Sequence, residues 1–432
     1  MNSQKFWSAK VAPFKQLSKE FLIIILGKVV ALILTIVGLK YTTSLIGPSV
    51  YGKFSLFLTV TTLGELLFGT MGQGVGRFFF EAKQKNEFHI LRHLTIDLIK
   101  KIVWVLVATI PIWFYFFNSW FIAVLLPFFS TITGITGILS GLQNSQRHRM
   151  IVVAHEVGDK ILKFGGLIFV GLYLPITDKS MMLAYTVAAL VVVISQWYFY
   201  RSKIEKILLD SSVGPIDPVI RRRYLSNVWM YCYPFLTWVI FAWVQNSSDR
   251  WVLITYMSSV EVGLYQVLNQ YGFQLISIGV GMIATLITPI LFEKAAHREN
   301  TDSILQTVRL NIKISYAFGG FIFGASFVSF FIHDFIFSLV VGVEYRQVSY
   351  LFPIMMLGGG FFAIGQLLCS NFMINFNPEK IILPKIFNAL FGVFASVILV
   401  QYLGLKGVVI SLVISQFIFM MWLLFLSQKF IK

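Results

Sequence analysis

The chain has 432 residues, of which 57% are hydrophobic, 16% aromatic and 12% charged, with a formal net charge of +16 and a mean hydropathy of +0.78. Soluble domains run at roughly 45–50% apolar and 25% charged, so this balance excludes a water-soluble globular domain and a disordered chain. The two cysteines, Cys232 and Cys369, fall inside apolar runs, which excludes a disulfide framework and leaves them as small apolar residues.

A hydrocarbon core of about 30 Å takes about 20 apolar residues per helix. Twelve runs of that kind are predicted, over 21–40, 53–75, 101–117, 120–142, 161–175, 181–200, 228–245, 263–288, 314–332, 351–373, 386–402 and 407–427. The opening "MNSQKFWSAKVAPFKQLSKE" carries four lysines and no small-residue cleavage pattern, so the first run is expected to stay in the protein as a span. Between the first two runs lies "LIGPSVYGKFSLF", 45–57, a Gly47-Pro48 turn with Gly52 just beyond it. That turn reverses the chain, and Gly52 lets the second helix start close to a neighbour. The second run closes on "QGVGRFFFEAK", 73–83, with Arg77 at its inward end.

The fifth run is ragged and follows "HEVGD", 155–159, a near miss to the two-histidine zinc helix because Asp159 stands where the second histidine belongs. Glu156 with Lys160 and Asp159 with Lys163 are spaced as i,i+4 pairs, expected in the interface at the inward start of the fifth helix. The segment 201–226 holds Gly-Pro and Asp-Pro breakers and the Arg221-Arg222-Arg223 run, and reads as a solvated basic linker. The domain reading is therefore an N-terminal six-helix lobe over 1–205, a cytoplasmic linker over 206–226 and a C-terminal six-helix lobe over 227–432. The aromatics of "VWMYCYPFLTWVIFAW", 228–243, fit interface belts and lipid packing.

Placing the N-terminus in the cytoplasm puts 28 of the 35 Lys and Arg in inward segments, with six outward and Lys28 within the first span. The positive-inside rule then sets both termini in the cytoplasm. The charge is accounted for by anionic lipid, so no nucleic-acid partner is called for. Outward connections are short, which leaves no room for an external catalytic domain. No Walker A sequence is present. The expectation is a non-enzyme without cofactor, driven where energy is needed by a proton or sodium gradient or by the substrate itself.

A second stretch, "SVEVGLYQVLNQYGF", 259–273, repeats the opening motif. An offset of 211 places Gly52 on Gly263 and Phe54 on Tyr265, and one residue of slip later aligns Glu81 with Glu293. Halves with even numbers of spans enter from the same side, giving a parallel repeat, a pattern found in transporters that rock two bundles about a central site.

These blocks carry a resemblance. "TTSLIGPSVYGKFSLFLTVTTLGELLFGTMGQGVGRFFFEAK" (42–83) resembles the first block of the polysaccharide-transporter branch of the multidrug/oligosaccharidyl-lipid/polysaccharide (MOP) superfamily, the Wzx-type oligosaccharide or O-antigen flippases. "SSDRWVLITYMSSVEVGLYQV" (247–267) resembles its second-half counterpart, and "VVGVEYRQVSYLFPIMMLGGGFFAIGQLL" (340–368) and "YLGLKGVVISLVIS" (402–415) fit its late spans. The resemblance implies an all-α integral membrane protein of twelve helices in two six-helix lobes related by a parallel pseudo-two-fold repeat. It further implies alternating-access movement of undecaprenyl-diphosphate-linked oligosaccharide across the bacterial inner membrane, for O-antigen, lipopolysaccharide or other polysaccharide biosynthesis. A polysaccharide polymerase and a chain-length regulator are then the expected protein partners. A cation-coupled small-molecule exporter of the same superfamily is the alternative, and a membrane glycan polymerase or ligase a weaker one.

The candidate cavity residues are polar groups at membrane depth. Lys28 and Glu65 each cost at least ~2.5 kcal/mol on insertion scales without a partner or a wet cavity, and a Lys28–Glu65 pair is one expectation. Arg77 offers a guanidinium fork to a diphosphate. Gln266, Asn269, Gln270 and Gln274, with Ser277, lie within an arc of roughly 140° on the eighth span, and are read as a lining for sugar hydroxyls or as hydrogen-bonding glue between helices. Asp249, Arg250 and Glu261 are expected at the outer surface, with a structural ion pair among them.

Overall fold

The computed structural model describes residues 26–146, 148–202, 215–282, 301–374 and 377–430. Among them twelve helices follow one another and no strand occurs: α1 Leu26–Leu45, α2 Pro48–Gln84, α3 Phe88–Phe117 with an interruption at Thr109, α4 Trp120–Ser145, α5 Arg149–Tyr173, α6 Asp178–Tyr200 and α7 Pro218–Tyr256. Next come α8, which runs as Ser259–Leu268 and continues through a wider π turn at Asn269–Gln274, then α9 Thr301–Val340, α10 Phe352–Ile374, α11 Ile382–Leu403 and α12 Leu405–Lys429. Each predicted span corresponds to one helix in order. The chain is a multi-pass, all-α membrane protein. The N-terminal lysines, residues 203–214 of the expected linker and the Glu293 alignment lie outside the described residues.

Ten of these helices are long and apolar enough to cross a membrane. α5 departs from that pattern because Glu156, Asp159, Lys160 and Lys163 crowd its middle. It also begins at Arg149, twelve residues ahead of the predicted start, so these side chains lie well inside a helix rather than at its interfacial beginning.

By contact the chain forms two units, Met1–Leu39 with Phe57–Val239, and Lys40–Leu56 with Ile240–Lys432. The boundaries of these units fall inside α1, α2 and α7. Residues 218–226 are helical, and two of the three consecutive arginines are tied down: Arg221 Nη2 lies 2.8 Å from Asp97 Oδ2, and Arg223 Nη2 and the Tyr224 hydroxyl each lie 2.7 Å from Glu87 Oε2. In this first unit Phe68, Phe79, Leu91, Ile138, Val228 and Cys232 form the apolar core.

The second unit contains the Gly47-Pro48 turn, and there three of the four sequence blocks meet. A Cβ on Gly52 would stand 1.9 Å from the Ser259 carbonyl oxygen, and one on Gly263 would stand 1.9 Å from the Pro48 carbonyl oxygen. The contact is reciprocal under the 211-residue offset, since Pro48 maps to Ser259 as Gly52 maps to Gly263. The Ser49 and Ser259 hydroxyls add a 2.8 Å hydrogen bond. Gly342 completes the site: its N–H donates to Thr43 Oγ1 at 3.0 Å, and a Cβ there would meet the Thr43 carbonyl oxygen at 2.0 Å. The Tyr345 hydroxyl donates to the Ile46 carbonyl at 2.9 Å, and its ring meets Tyr51 edge-on.

Two outcomes are expected. Gly52→Ala and Gly263→Ala force backbone apart and should each cost about 1–3 kcal/mol or more, read as a lowered unfolding temperature in detergent. Gly320→Ala, which meets no atom within 4 Å, is the neutral comparison. For topology, Ser247 is buried inside α7, so the α7–α8 connection at Met257 is the outward probe. Met257→Cys should react with an impermeant thiol reagent in intact cells while Arg222→Cys is spared; the native Cys232 and Cys369 are buried and silent. The reverse labelling would overturn the orientation.

Candidate functional site

A cavity of about 480 Å³ opens within the first unit, between α2, α4, α5 and α6. α5 supplies most of its charge. His155, Glu156, Asp159, Lys160 and Lys163 fall within an arc of roughly 140° at 100° per residue, and all five line the space. α4 faces them with Thr133, Thr136, Gly137 and Ser140, the i, i+3, i+4, i+7 stripe of a single helix face. α2 contributes Glu65, whose carboxyl lies against the Thr133 hydroxyl with Lys163, Asp159 and Lys160 as its charged neighbours.

Within the cavity the cations are held differently. Lys163 Nζ is 2.8 Å from Asp159 Oδ2 and sits 5.8 Å from the Phe129 ring centroid and 5.5 Å from that of Tyr185. An ion pair clasped between aromatic faces is fixed in place. Lys160, one residue beyond Asp159, also lines the cavity and forms no such pair. His155 Nδ1 contacts the Ile151 carbonyl oxygen at 2.7 Å and Nε2 contacts Ser195 Oγ at 3.1 Å. The carbonyl can only accept, so Nδ1 carries a proton and Nε2 meets the hydroxyl. Among the described residues no cluster suited to a metal ion occurs.

The sequence-predicted residues divide between places. Glu65 is in this cavity. Lys28 is half-buried on α1 and makes no ion pair with Glu65, whose charge partners come from α5 instead. Arg77 is exposed near the C-terminal end of α2. Neither cation lines the cavity.

Gln266, Asn269, Gln270 and Gln274 belong to the second unit, where they bond to one another and to Arg250. Arg250 Nε donates to Gln266 Oε1 at 2.6 Å, Nη2 to Asn269 Oδ1 at 3.2 Å and Nη1 to the Asn246 carbonyl at 2.7 Å. Gln266 Nε2 donates to Gln270 Oε1 at 2.9 Å and Gln274 Nε2 to Asn269 Oδ1 at 3.0 Å. Arg250 and Asp249 are only 4% and 5% exposed, which corrects their expected surface position. Asp249 accepts from Tyr265, and from Ser396 at 3.3 Å, so the two neighbours in sequence do not pair with each other. Glu261 instead meets the Ser258 hydroxyl at the start of α8.

The α4 stripe and the cavity role of the α5 charges were missed. The "TITGITGILS" spacing, 131–140, carries the signal for the first, but Thr and Ser in an apolar helix ordinarily bond their own backbone, as Thr133 does to the Phe129 carbonyl at 2.9 Å.

No protein-family model and no curated protein sequence matches the chain. Solved structures do. An inward-facing multidrug resistance MATE family transporter of the MOP superfamily superposes with a TM-score of 0.70 at 16% identity, covering 95% of this chain and 94% of that one. The lipid II flippase MurJ in an inward closed conformation gives 0.66 at 14%, over 94% and 87%. The Vibrio cholerae MATE transporter VcmN in its bent form gives 0.63 at 12%, over 96% of each. The chain thus has, over nearly its whole length, the twelve-helix fold shared by MATE transporters and the MurJ flippase.

Proposed function

We propose that the protein is a flippase that carries undecaprenyl-diphosphate-linked oligosaccharide across the bacterial inner membrane by alternating access, with both termini in the cytoplasm. The observation that carries this reading is the first-unit cavity, where two lysines and a row of hydroxyls are held deep in a lipid-embedded bundle. A diphosphate brings at least two negative charges into a medium of low dielectric, and fixed cations lower that barrier far more than neutral groups do. Lys163 is committed to Asp159, so Lys160 is the cation that meets the diphosphate. Thr133, Thr136 and Ser140 then offer hydroxyls to the sugars. Arg77 and Lys28 serve as outlying cations met before the cavity. The fold shared with MurJ, a lipid II flippase by name, supports a lipid-linked cargo.

The amides of α8 favour the structural side of their two expected roles, because Gln266 and Asn269 already accept from Arg250 while Gln270 and Gln274 bond to those two residues. Glu65 is the group through which a proton or sodium gradient couples. Its neighbour Thr133 can accept from a protonated carboxyl while donating to Phe129, or turn to donate to a carboxylate, so both states of Glu65 find a partner. The three carboxylates of the cavity also suit a cationic cargo, which keeps the cation-coupled exporter as the second reading.

Transport in proteoliposomes or complementation of a flippase-deficient strain separates them. Lys160→Ala should lower glycolipid transport by about tenfold or more and Lys160→Arg should retain most of it, since loss of one charge contact is worth about 1.5–3 kcal/mol. Undiminished glycolipid transport in Lys160→Ala, with export of a lipophilic cation lost in Glu65→Gln, would select the exporter. In a second measurement, Glu65→Gln should uncouple transport from the imposed ion gradient; an unchanged gradient dependence would make Glu65 structural.

A further inference from the structure

The charges of the first-unit cavity do not balance for a purely anionic cargo. Its lining holds the carboxylates of Glu65, Glu156 and Asp159 against the ammonium groups of Lys160 and Lys163, so with His155 counted as neutral the acids outnumber the cations. The Asp159–Lys163 ion pair cancels internally. Glu65 stands apart on α2 against Thr133, which leaves Glu156 and Lys160 as the two charges on one face of α5. Each is a charged neighbour of the other, yet neither forms an ion pair or a hydrogen bond among the described residues. One helical turn separates them, which puts their Cβ atoms ~5–6 Å apart. A diphosphate drawn to Lys160 therefore comes within range of the Glu156 carboxylate, and like charges repel strongly where the dielectric is low. Glu156 opposes such a cargo unless the cargo itself answers it.

The cavity also has two levels. At one, Glu65 meets Thr133 with Lys163 and Lys160 close by. At the other, His155 meets Ser195, and Ser140 is held by Gln196, the next residue of α6. Glu156 follows His155 directly and belongs to the second level, while Lys160 lies one turn along α5 toward Lys163. The unanswered carboxylate thus falls beside the hydroxyl of Ser140, at the level of the sugar and not of the phosphate.

Resting on the flippase reading above, we propose that the cargo is zwitterionic: the sugar next to the diphosphate carries a free amino group, held as an ammonium by Glu156 while Lys160 holds the diphosphate. An ammonium has three donors and no acceptor, which suits a carboxylate that receives no hydrogen bond from the described residues. Charge-assisted bonds of this kind are roughly twice as strong as neutral ones. An N-acetylated sugar presents a neutral amide at the same place and leaves Glu156 facing the diphosphate. The carboxylates that suit a cation and the lysine that suits an anion then serve one molecule.

The test uses the full-length protein in proteoliposomes with two undecaprenyl-diphosphate-linked glycans that differ only in a free amine or an N-acetyl group on the first sugar. Both are present in the same vesicles, and the translocated fraction of each is read by mass spectrometry as lipid cleaved by an added impermeant diphosphatase. Wild type should move the amine form about tenfold faster, a difference of about 1.4 kcal/mol. Glu156→Gln should bring the ratio near one, and Glu156→Asp, which keeps the charge, should keep most of it. Lys160→Ala should slow both forms and preserve the ratio. Because the ratio is internal to each vesicle, it is independent of how much variant protein folds. Equal transport of the two forms by wild type, or a ratio unmoved in Glu156→Gln, overturns the zwitterionic cargo and leaves the flippase reading standing. Transport of neither form by wild type defeats both. A rise of the N-acetylated form to the amine level on adding Mg²⁺, seen in wild type and lost in Glu156→Gln, also overturns the proposal, by assigning Glu156 to a metal bridging to the diphosphate.

Discussion

Backbone meeting backbone at Gly52 and Gly263 is the constraint around which the second unit is organised. No side chain larger than hydrogen fits at either position, since the opposing carbonyl oxygens would lie within 2 Å of a Cβ. In a bilayer no hydrophobic effect drives helices together, so close approach through small residues is what gives dispersion and hydrogen bonds their purchase. The Ser49–Ser259 bond and the Gly342–Thr43 bond both depend on that approach. Because the contact is reciprocal under the sequence offset, the two copies of the motif explain one another: each glycine exists to admit the start of the other helix.

A lipid-embedded bundle must also account for every polar group it buries, and the two units do so in different ways. The second unit satisfies its interior charges within the protein, Arg250 by three carbonyl oxygens and Asp249 by hydroxyls. Each of the three nitrogens of Arg250 thus has a partner within the protein. The first unit instead gathers three carboxylates, two lysines and a histidine around an open space, with only Asp159 and Lys163 joined as an ion pair. Unmatched charge at membrane depth is expensive unless water or cargo reaches it. Charge around an open space is thus a feature of the first unit, although the sequence motif with the greatest polar density lies in the second.

The helices were legible because hydropathy and the bilayer's thickness impose the same length on each span. The Gly47-Pro48 turn and its second copy were legible too, since Pro and paired glycines leave few conformational choices. Partner choice was not. Glu65 invited Lys28, a residue of the preceding helix, yet it faces α5, because which helices neighbour one another is settled by packing and not by order. α5 itself was read short: its charges depress the hydropathy of residues 149–160, so a scan for apolar runs removes the part of the helix that carries the chemistry. Arg250 was assigned to the surface for the same reason, as its charge was counted and its possible acceptors sixteen and nineteen residues onward were not.

α4 shows how the first unit keeps its two environments apart. Thr133, Thr136 and Ser140 turn toward the charged cavity, while Ile135, Ile138, Leu139 and Leu142 turn toward an apolar slot of about 260 Å³ bordered by α2, α3 and α6. One helix is enough for this because the 3.6-residue period interleaves the two sets without conflict. At its end the faces are locked against rotation: Gln196 Nε2 donates to Ser140 Oγ at 2.7 Å and to Gln143 Oε1 at 3.1 Å, tying α6 to α4. Rotating α4 by one residue's step, 100°, would swing hydroxyls toward the slot and isoleucines toward the charges. The amide bonds therefore act through register, by holding the polar space and the apolar space on opposite sides of a single wall.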